Sequence, residues 1–493
     1  MPSPSVACQA CKRRRIKCDE TKPSCKNCRK SQRICLDANA VKQANFSIHV
    51  ENDFASGKSK RPRGPRSILS TPHLQDDLKT RALTYYLNTH IQSPGQASHF
   101  PVCLSGSISA WKLSGRSSPM VDLALAAVAL VVYSRTQQQP AAGEEGAQIY
   151  YQLLHTLQDR IGDLSSIDDF DAWLLTTQLM GRYEGTTHGP SDFDSAEPFN
   201  QIRNWAHQDG AQAVLKLWYD RSTHESASFI VNQTRRGLMR TSLLRGIPLP
   251  DWMLDGSKFG EKDLDLQYDQ VEVRLADLRH ATARLEEEKD QSSVKISELN
   301  AQAQEIDQAL QDWIARTPKK CSYERHVIPG EDSWSRTHFY SPTVYTFSKP
   351  GHATVWVQYF STRMLIISTR LRILTSSHTN PLVNAYEKEA RDCQLTLKTM
   401  ANDLASIVPF ILGKVKIEYS AVVPKQTKAL VVEDAEINPC QAIMIIWPLS
   451  ISAGLRGVDK EQQMWFRSEL AGLGRLLGDG IIESAESEKW LTI

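Results

Sequence analysis

Six cysteines between Cys8 and Cys35 follow the spacing C-x2-C-x6-C-x6-C-x2-C-x6-C, in a segment that reads CQACKRRRIKCDETKPSCKNCRKSQRIC. Its only large aliphatic residues are Ile16 and Ile34. So little apolar surface cannot offset the entropy of ordering the chain, so a metal must hold it together. Zinc takes four ligands in a tetrahedron and favours thiolates in structural sites. One zinc would leave two thiols idle, and two separate zincs would need eight. Six suffice for two ions if two thiolates are shared. The segment is also an internal repeat, since Cys8, Cys11 and Cys18 recur 17 residues later as Cys25, Cys28 and Cys35. A pseudo-two-fold unit with one shared cysteine per half follows.

Between Cys11 and Cys18 stand Lys12, Arg13, Arg14, Arg15, Ile16 and Lys17, whereas the matching stretch after Cys28 is Arg29, Lys30, Ser31, Gln32, Arg33 and Ile34. Only the first half carries a dense guanidinium cluster. Arginine and lysine pair with the O6 and N7 acceptors of guanine in the major groove, and other cations hold phosphates and fix the register. Arg15 is assigned to a base, Lys12, Arg13 and Lys17 to phosphates, and Arg14 is left between the two.

With its six cysteines, the run Lys12-Arg13-Arg14-Arg15-x-Lys17, Asp19 and Pro23, the segment resembles the fungal Zn2Cys6 binuclear cluster, the DNA-binding domain of fungal transcription factors. The resemblance implies two structural zinc ions bridged by Cys8 and Cys25. Cys11 and Cys18 would complete one site, and Cys28 and Cys35 the other. It further implies that Pro23 shapes the loop between halves and that Arg14 and Arg15 approach a CGG triplet. Four thiolates per ion leave no open coordination position, so the zinc is structural.

Residues 1–66 carry 16 Lys and Arg against 5 Asp and Glu, a net +11, while the rest carries 42 against 51, a net −9. A basic head on an acidic body is the asymmetry of a nucleic-acid module joined to another function. The expected compartment is the nucleus: no secretory signal is legible, reduced thiols suit it, and basic runs at 12–17 and 58–66 could serve import. The longest apolar run, Val121 to Tyr133, is 13 residues and reads as a buried helix, so no membrane partner is expected. Cys103, Cys321, Cys393 and Cys440 lack ligand spacing.

Residues 36–75 read as a basic flexible linker, with KSKRPRGPR as a solvated import signal in preference to a DNA-binding arm, and without a dimerising heptad. Residues 76–493 read as all-α, with helices near 76–91, 121–135, 145–162, 168–180, 225–244, 353–376, 382–408 and 438–453. Ser118-Pro119, Asn380-Pro381 and Asn438-Pro439 place a capping side chain before a first-turn proline, and Ser166 with Asp169 suggests a further start. Pro448 is expected to bend or end its helix.

A heptad seam runs over about 262–316, from Val271 to Trp313, and weakens at Thr282, Lys289 and Ser292. It predicts an antiparallel helical hairpin turning near 288–293, with a continuous intermolecular coiled coil as the alternative.

The body also resembles the all-helical regulatory region that follows many fungal zinc clusters, through WAHQDGAQAVL, RRGLMRTSLLRGIPLP and WPLSISAGL. That resemblance implies a regulatory scaffold, and activation as the commoner role. No Walker loop, G-x-S-x-G elbow, H-E-x-x-H or dinucleotide fingerprint occurs, so no enzyme is expected. His207 with Asp209, and His188, read as surface or cap residues, and the Trp and Tyr residues as packing, although some could line a ligand cavity. The expected function is a nuclear, zinc-dependent, sequence-specific RNA polymerase II transcription factor regulating fungal metabolic genes. Its partners would be double-stranded DNA and the transcription machinery or co-regulators. A homodimer and a small-molecule effector stay open. The alternative is a metal-sensing or scaffold protein whose cysteines do not read DNA sequence.

Overall fold

The structure is a computed structural model describing residues 7–8, 10–11, 14–21, 24–31, 35, 77–91, 104–161, 167, 169–188, 204–221, 226–287, 292–329, 337–376, 383–419, 427–487 and 490–493. The chain divides into two compact units, Met1–Leu74 and Gln75–Ile493. In the first, the buried described residues are Cys8, Cys11, Cys25 and Cys28, packed with Ala10, Cys18 and Cys35. Its interior is sulfur. One short helix, α1 (Lys26–Lys30), is capped by Cys25, whose Sγ accepts from the Cys28 amide at 3.4 Å.

The second unit is mostly helical. Its first half contains α2 (Leu78–Tyr86), α3 (Leu104–Leu113), α4 (Pro119–Gln137), α5 (Pro140–Ile161), α6 (Phe170–Thr187), α7 (Asn204–Arg221) and α8 (Phe229–Arg245). The apolar run at 121–133 lies in α4, which α2, α5 and α6 enclose. By length and composition α4 is the one helix among the described residues that could cross a membrane. Here it is the centre of a protein core, with Val128 and Leu130 fully buried. Ser118 precedes Pro119 at its start without a side-chain cap bond. Asp169 caps α6 by accepting from the Ala172 amide at 3.0 Å; Ser166 lies outside the described residues, as does Asn380-Pro381. Gly246 closes α8 at φ 63, a left-handed position that spares glycine the Cβ clash.

The second half comprises α9 (Asp263–Glu287), α10 (Ser293–Ala315), α11 (Pro350–Thr375), α12 (Val383–Ile411), α13 (Pro439–Gly454), α14 (Lys460–Leu477) and the single turn α15 (Gly480–Glu483). Helices α9 and α10 pack antiparallel: Trp313 Nε1 donates to the Leu264 carbonyl at 2.9 Å, and Arg274 meets Glu305 at 3.1 Å. The seam residues Val271, Leu275, Leu278, Leu285, Ile296, Leu299, Ala303, Ile306, Leu310 and Trp313 are all buried. Thr282 is buried too, its hydroxyl satisfied by the Leu278 carbonyl at 2.7 Å. Lys289 is outside the described residues. Helix α11 is the second hub, touching α9, α10, α12 and α13.

Two features refine the sequence reading. Helix α13 runs through Pro448 without ending there. Asn438 caps its start, accepting from the Cys440 amide at 2.9 Å, and the Ser452 hydroxyl bonds the Pro448 carbonyl at 2.8 Å. Packing on α11, α12 and α14 supports the helix along its length. The body also holds two antiparallel pairs, β1 (Glu324–Val327) with β2 (Thr343–Thr346) and β3 (Val415–Tyr419) with β4 (Thr427–Val431), in register Glu324↔Thr346 and Val415↔Val431. They cover a satellite core of Ile328, Phe339, Val344, Val415 and Ala429.

Candidate metal centre and nucleic-acid interface

Six sulfurs converge in the first unit as two tetrads, Cys8-Cys11-Cys18-Cys25 and Cys8-Cys25-Cys28-Cys35, with the Sγ atoms of each within 4.8 Å of one another. Cys8 and Cys25 belong to both. Zn–S bonds of about 2.3 Å in a regular tetrahedron put neighbouring sulfurs about 3.8 Å apart. The Sγ separations are 3.8 Å for Cys8–Cys25, 3.7 Å for Cys8–Cys28 and 3.7 Å for Cys11–Cys25. The donor set therefore fits zinc in number, chemistry and spacing.

The internal repeat is visible in the bonding. Exchanging each cysteine for its counterpart turns the Cys11–Cys25 contact into Cys28–Cys8, and both are 3.7 Å. The Cys25 amide donates to Cys35 Sγ at 3.4 Å. It holds the Cys35 thiol below its ordinary value, as a bond from the Cys8 amide does for Cys18. Burial pushes Cys11 up, and hydrogen bonding to Cys25 pushes Cys28 up to about 12.

Besides the sulfurs, two residues among those described join the halves. Asp19 accepts from the Lys26 amide at 2.9 Å, at the start of α1, and from the Thr21 hydroxyl. The Thr21 bond is the main influence holding its carboxyl below the usual range. Asn27 Nδ2 donates to the Lys17 carbonyl at 2.8 Å. The repeat pattern gives no hint of Asn27, because its task is to reach across the pseudo-two-fold axis.

The first half begins a helical turn at Ala10 and Cys11, which Arg15 ends at φ 53. The Ile16 amide reaches back to the Cys11 carbonyl at 3.2 Å, the six-to-one bond of a Schellman closure. Arginine thus occupies a position usually given to glycine. Arg14, Arg15 and Lys17 are exposed, with the half-exposed Ile16 between them. Lys12, Arg13 and Pro23 lie outside the described residues.

The family model for the fungal Zn(2)-Cys(6) binuclear cluster domain matches residues 6–43. This chain carries that domain. The transcriptional regulatory protein moc3 of Schizosaccharomyces pombe is 68% identical to it over 69 residues, which cover 13% of this chain and 13% of that protein. The likeness thus spans a small part of either chain. No solved structure matches. The binuclear cluster domain accounts for all six N-terminal cysteines, while Cys321, Cys393 and Cys440 are buried in the body.

In the body, His207 is partly buried in the first turn of α7. Its Nε2 lies 2.9 Å from Glu184 Oε1, with only 15% of the His207 side chain exposed, because α7 packs against α6. Asp209 turns the other way and meets Arg245 at 3.0 Å. His188 ends α6, its carbonyl accepting from Arg135 Nη1 at 3.1 Å.

Proposed function

We propose that this chain is a nuclear, zinc-dependent, sequence-specific regulator of RNA polymerase II transcription. Cys8 and Cys25 would bridge two structural zinc ions, Cys11 and Cys18 would complete one site, and Cys28 and Cys35 the other. The first-half turn carries Lys12, Arg13, Arg14, Arg15 and Lys17 to a CGG-like triplet in the major groove. Arg15 reads guanine there, Lys12, Arg13 and Lys17 mainly neutralise phosphates, and Arg14 stands between the two roles. The mostly helical body acts as the regulatory region, receiving a signal and recruiting co-regulators, with activation of metabolic genes as its output.

One observation carries the reading: two cysteine tetrads with a common Cys8–Cys25 edge stand beside an exposed Arg14-Arg15-x-Lys17 cluster. The matched family and the name of the fission-yeast relative support it. The purified full chain should hold two zinc ions by elemental analysis. It should bind a CGG-containing duplex about 10-fold or more tighter than a scrambled one, and lose that binding on exhaustive chelation. Equal affinity for both duplexes, or selective binding that survives metal removal, would overturn it.

A further inference from the structure

Within the second unit, α3, α6, α7, α8 and α15 enclose a cleft of about 310 Å³, at the lower end of the range for small-molecule sites. Its apolar wall comes from Leu104, Ala211, Ile481 and Ile482, and its polar wall from Ser107, Gln178, Gln233 and Thr234. No tryptophan or tyrosine lines it. Three polar atoms of its lining are buried without a hydrogen-bond partner, Ser107 Oγ, Gln233 Oε1 and His207 Nε2, and of these His207 alone has a carboxylate beside it, Glu184 Oε1 at 2.9 Å. Ser107 is 0% and Gln233 6% exposed. Such orphans cost a protein stability unless a ligand or water satisfies them.

The cleft is also held open at a cost to helix stability. Gly237 sits within α8 on its wall, and a Cβ built there would meet nothing within 4 Å. An interior helical glycine is unfavourable, and no packing neighbour or left-handed backbone requires this one. Its absent side chain leaves space.

The one permanent cation among the lining residues is already paired. Arg182 is bound by the Asp479 carboxylate and by the Leu477 carbonyl at 2.6 Å, and His207 faces Glu184. An ionised ligand would find no uncommitted counter-charge, and burying one without a partner is costly. The Gln233 carbonyl oxygen requires a donor, which a ligand O–H or N–H supplies, and the Ser107 hydroxyl can give or accept. We propose that this cleft binds an uncharged, hydroxyl- or amide-bearing small molecule, seated between Ser107 and Gln233 with its carbon skeleton against Ile481 and Ile482. The site identifies where the signal received by the regulatory body enters, and in that respect it rests on the function proposed above. Because Asp479 both pairs with Arg182 and caps α15, accepting from the Ile482 amide at 3.1 Å, an occupant would press on the C-terminal turn.

The test is thermal unfolding of the full chain without DNA. The probes are ribose, glucose, myo-inositol, uridine and nicotinamide, with glutamate, arginine and glucose 6-phosphate as charged comparators. At least one uncharged probe should raise the melting temperature saturably. Ser107→Ala should weaken its binding by about 3- to 10-fold, the worth of one hydrogen bond. Gly237→Leu should melt at or above the parent temperature, since leucine suits a helix better, yet abolish the shift by filling the cleft. A response to the charged comparators alone, no response to any probe, or a shift that survives Gly237→Leu would each overturn the proposal. None of these readouts involves the cysteine cluster, so loss of CGG selectivity would sink the DNA-binding proposal and leave this measurement intact.

Discussion

The left-handed backbone at Arg15 separates its role in the fold from its role at DNA. At φ 53 an L-residue carries a steric penalty of about 1–2 kcal/mol that glycine escapes. Glycine gives back roughly 0.5–1 kcal/mol through the greater freedom of its unfolded chain. Arg15→Gly should therefore leave the cluster domain as stable as before, or slightly more so. The same change removes the guanidinium, which should cost about 1–3 kcal/mol of discrimination at a guanine, roughly a 5- to 150-fold loss. Arg15→Ala should lose the same selectivity while keeping the backbone strain.

Fluorescence anisotropy of the full chain on CGG-containing and scrambled duplexes at one salt concentration measures the selectivity, and elemental analysis checks that zinc is retained. The reasoning fails if Arg15→Gly weakens both duplexes equally and lowers the salt slope by about one, the signature of a phosphate contact. It fails differently if zinc is lost, since Arg15 would then be part of the fold.

Cys25→Ala removes a ligand common to both tetrads and should release all the zinc on gel filtration, whereas Cys11→Ala touches one tetrad and should retain about one ion per chain; equal loss from the two variants would refute the shared edge. Glu272 is fully buried between helices, and burial pushes its carboxyl up to about 7 from 4.5. Because the folded state holds this proton more tightly than the unfolded chain, its contribution is full below about pH 4.5 and fades as pH rises through 7, by about 3 kcal/mol in all. Glu272→Gln should remove that fall, so the melting-temperature difference between variant and parent should grow from pH 5 to pH 8, and a constant difference would count against it.

The cysteine site was legible because all of its ligands lie within Cys8–Cys35, where spacing along the chain nearly dictates spacing in space. The same holds for the helical seam, in which Val271 to Trp313 interdigitate through a near neighbour, and for the cap at Asn438. Locality also explains what was harder to read. Whether Pro448 ends its helix depends on distant α11, against which α13 packs. Strand β2 lacks alternation because Val344, Tyr345 and Thr346 are all buried, so no polar face marks it.

The cleft lies at the opposite extreme. Ser107, Gln178, His207, Gln233 and Ile481 come from five separate helices, and none carries a local pattern that sets it apart from an ordinary packing residue. Gly237 is the partial exception, since a glycine inside an amphipathic helix contradicts its surroundings and invites a question. The sequence could raise that question but could not answer it, because a glycine that admits a crossing backbone and one that leaves room for a ligand look alike until neighbours are known. Gly474 shows the first kind: a Cβ there would strike the backbone of Glu483 where α15 crosses α14. Gly237 shows the second, with no atom near enough to need the space, and that contrast within one unit is the physical reason to read its cleft as a place for a ligand.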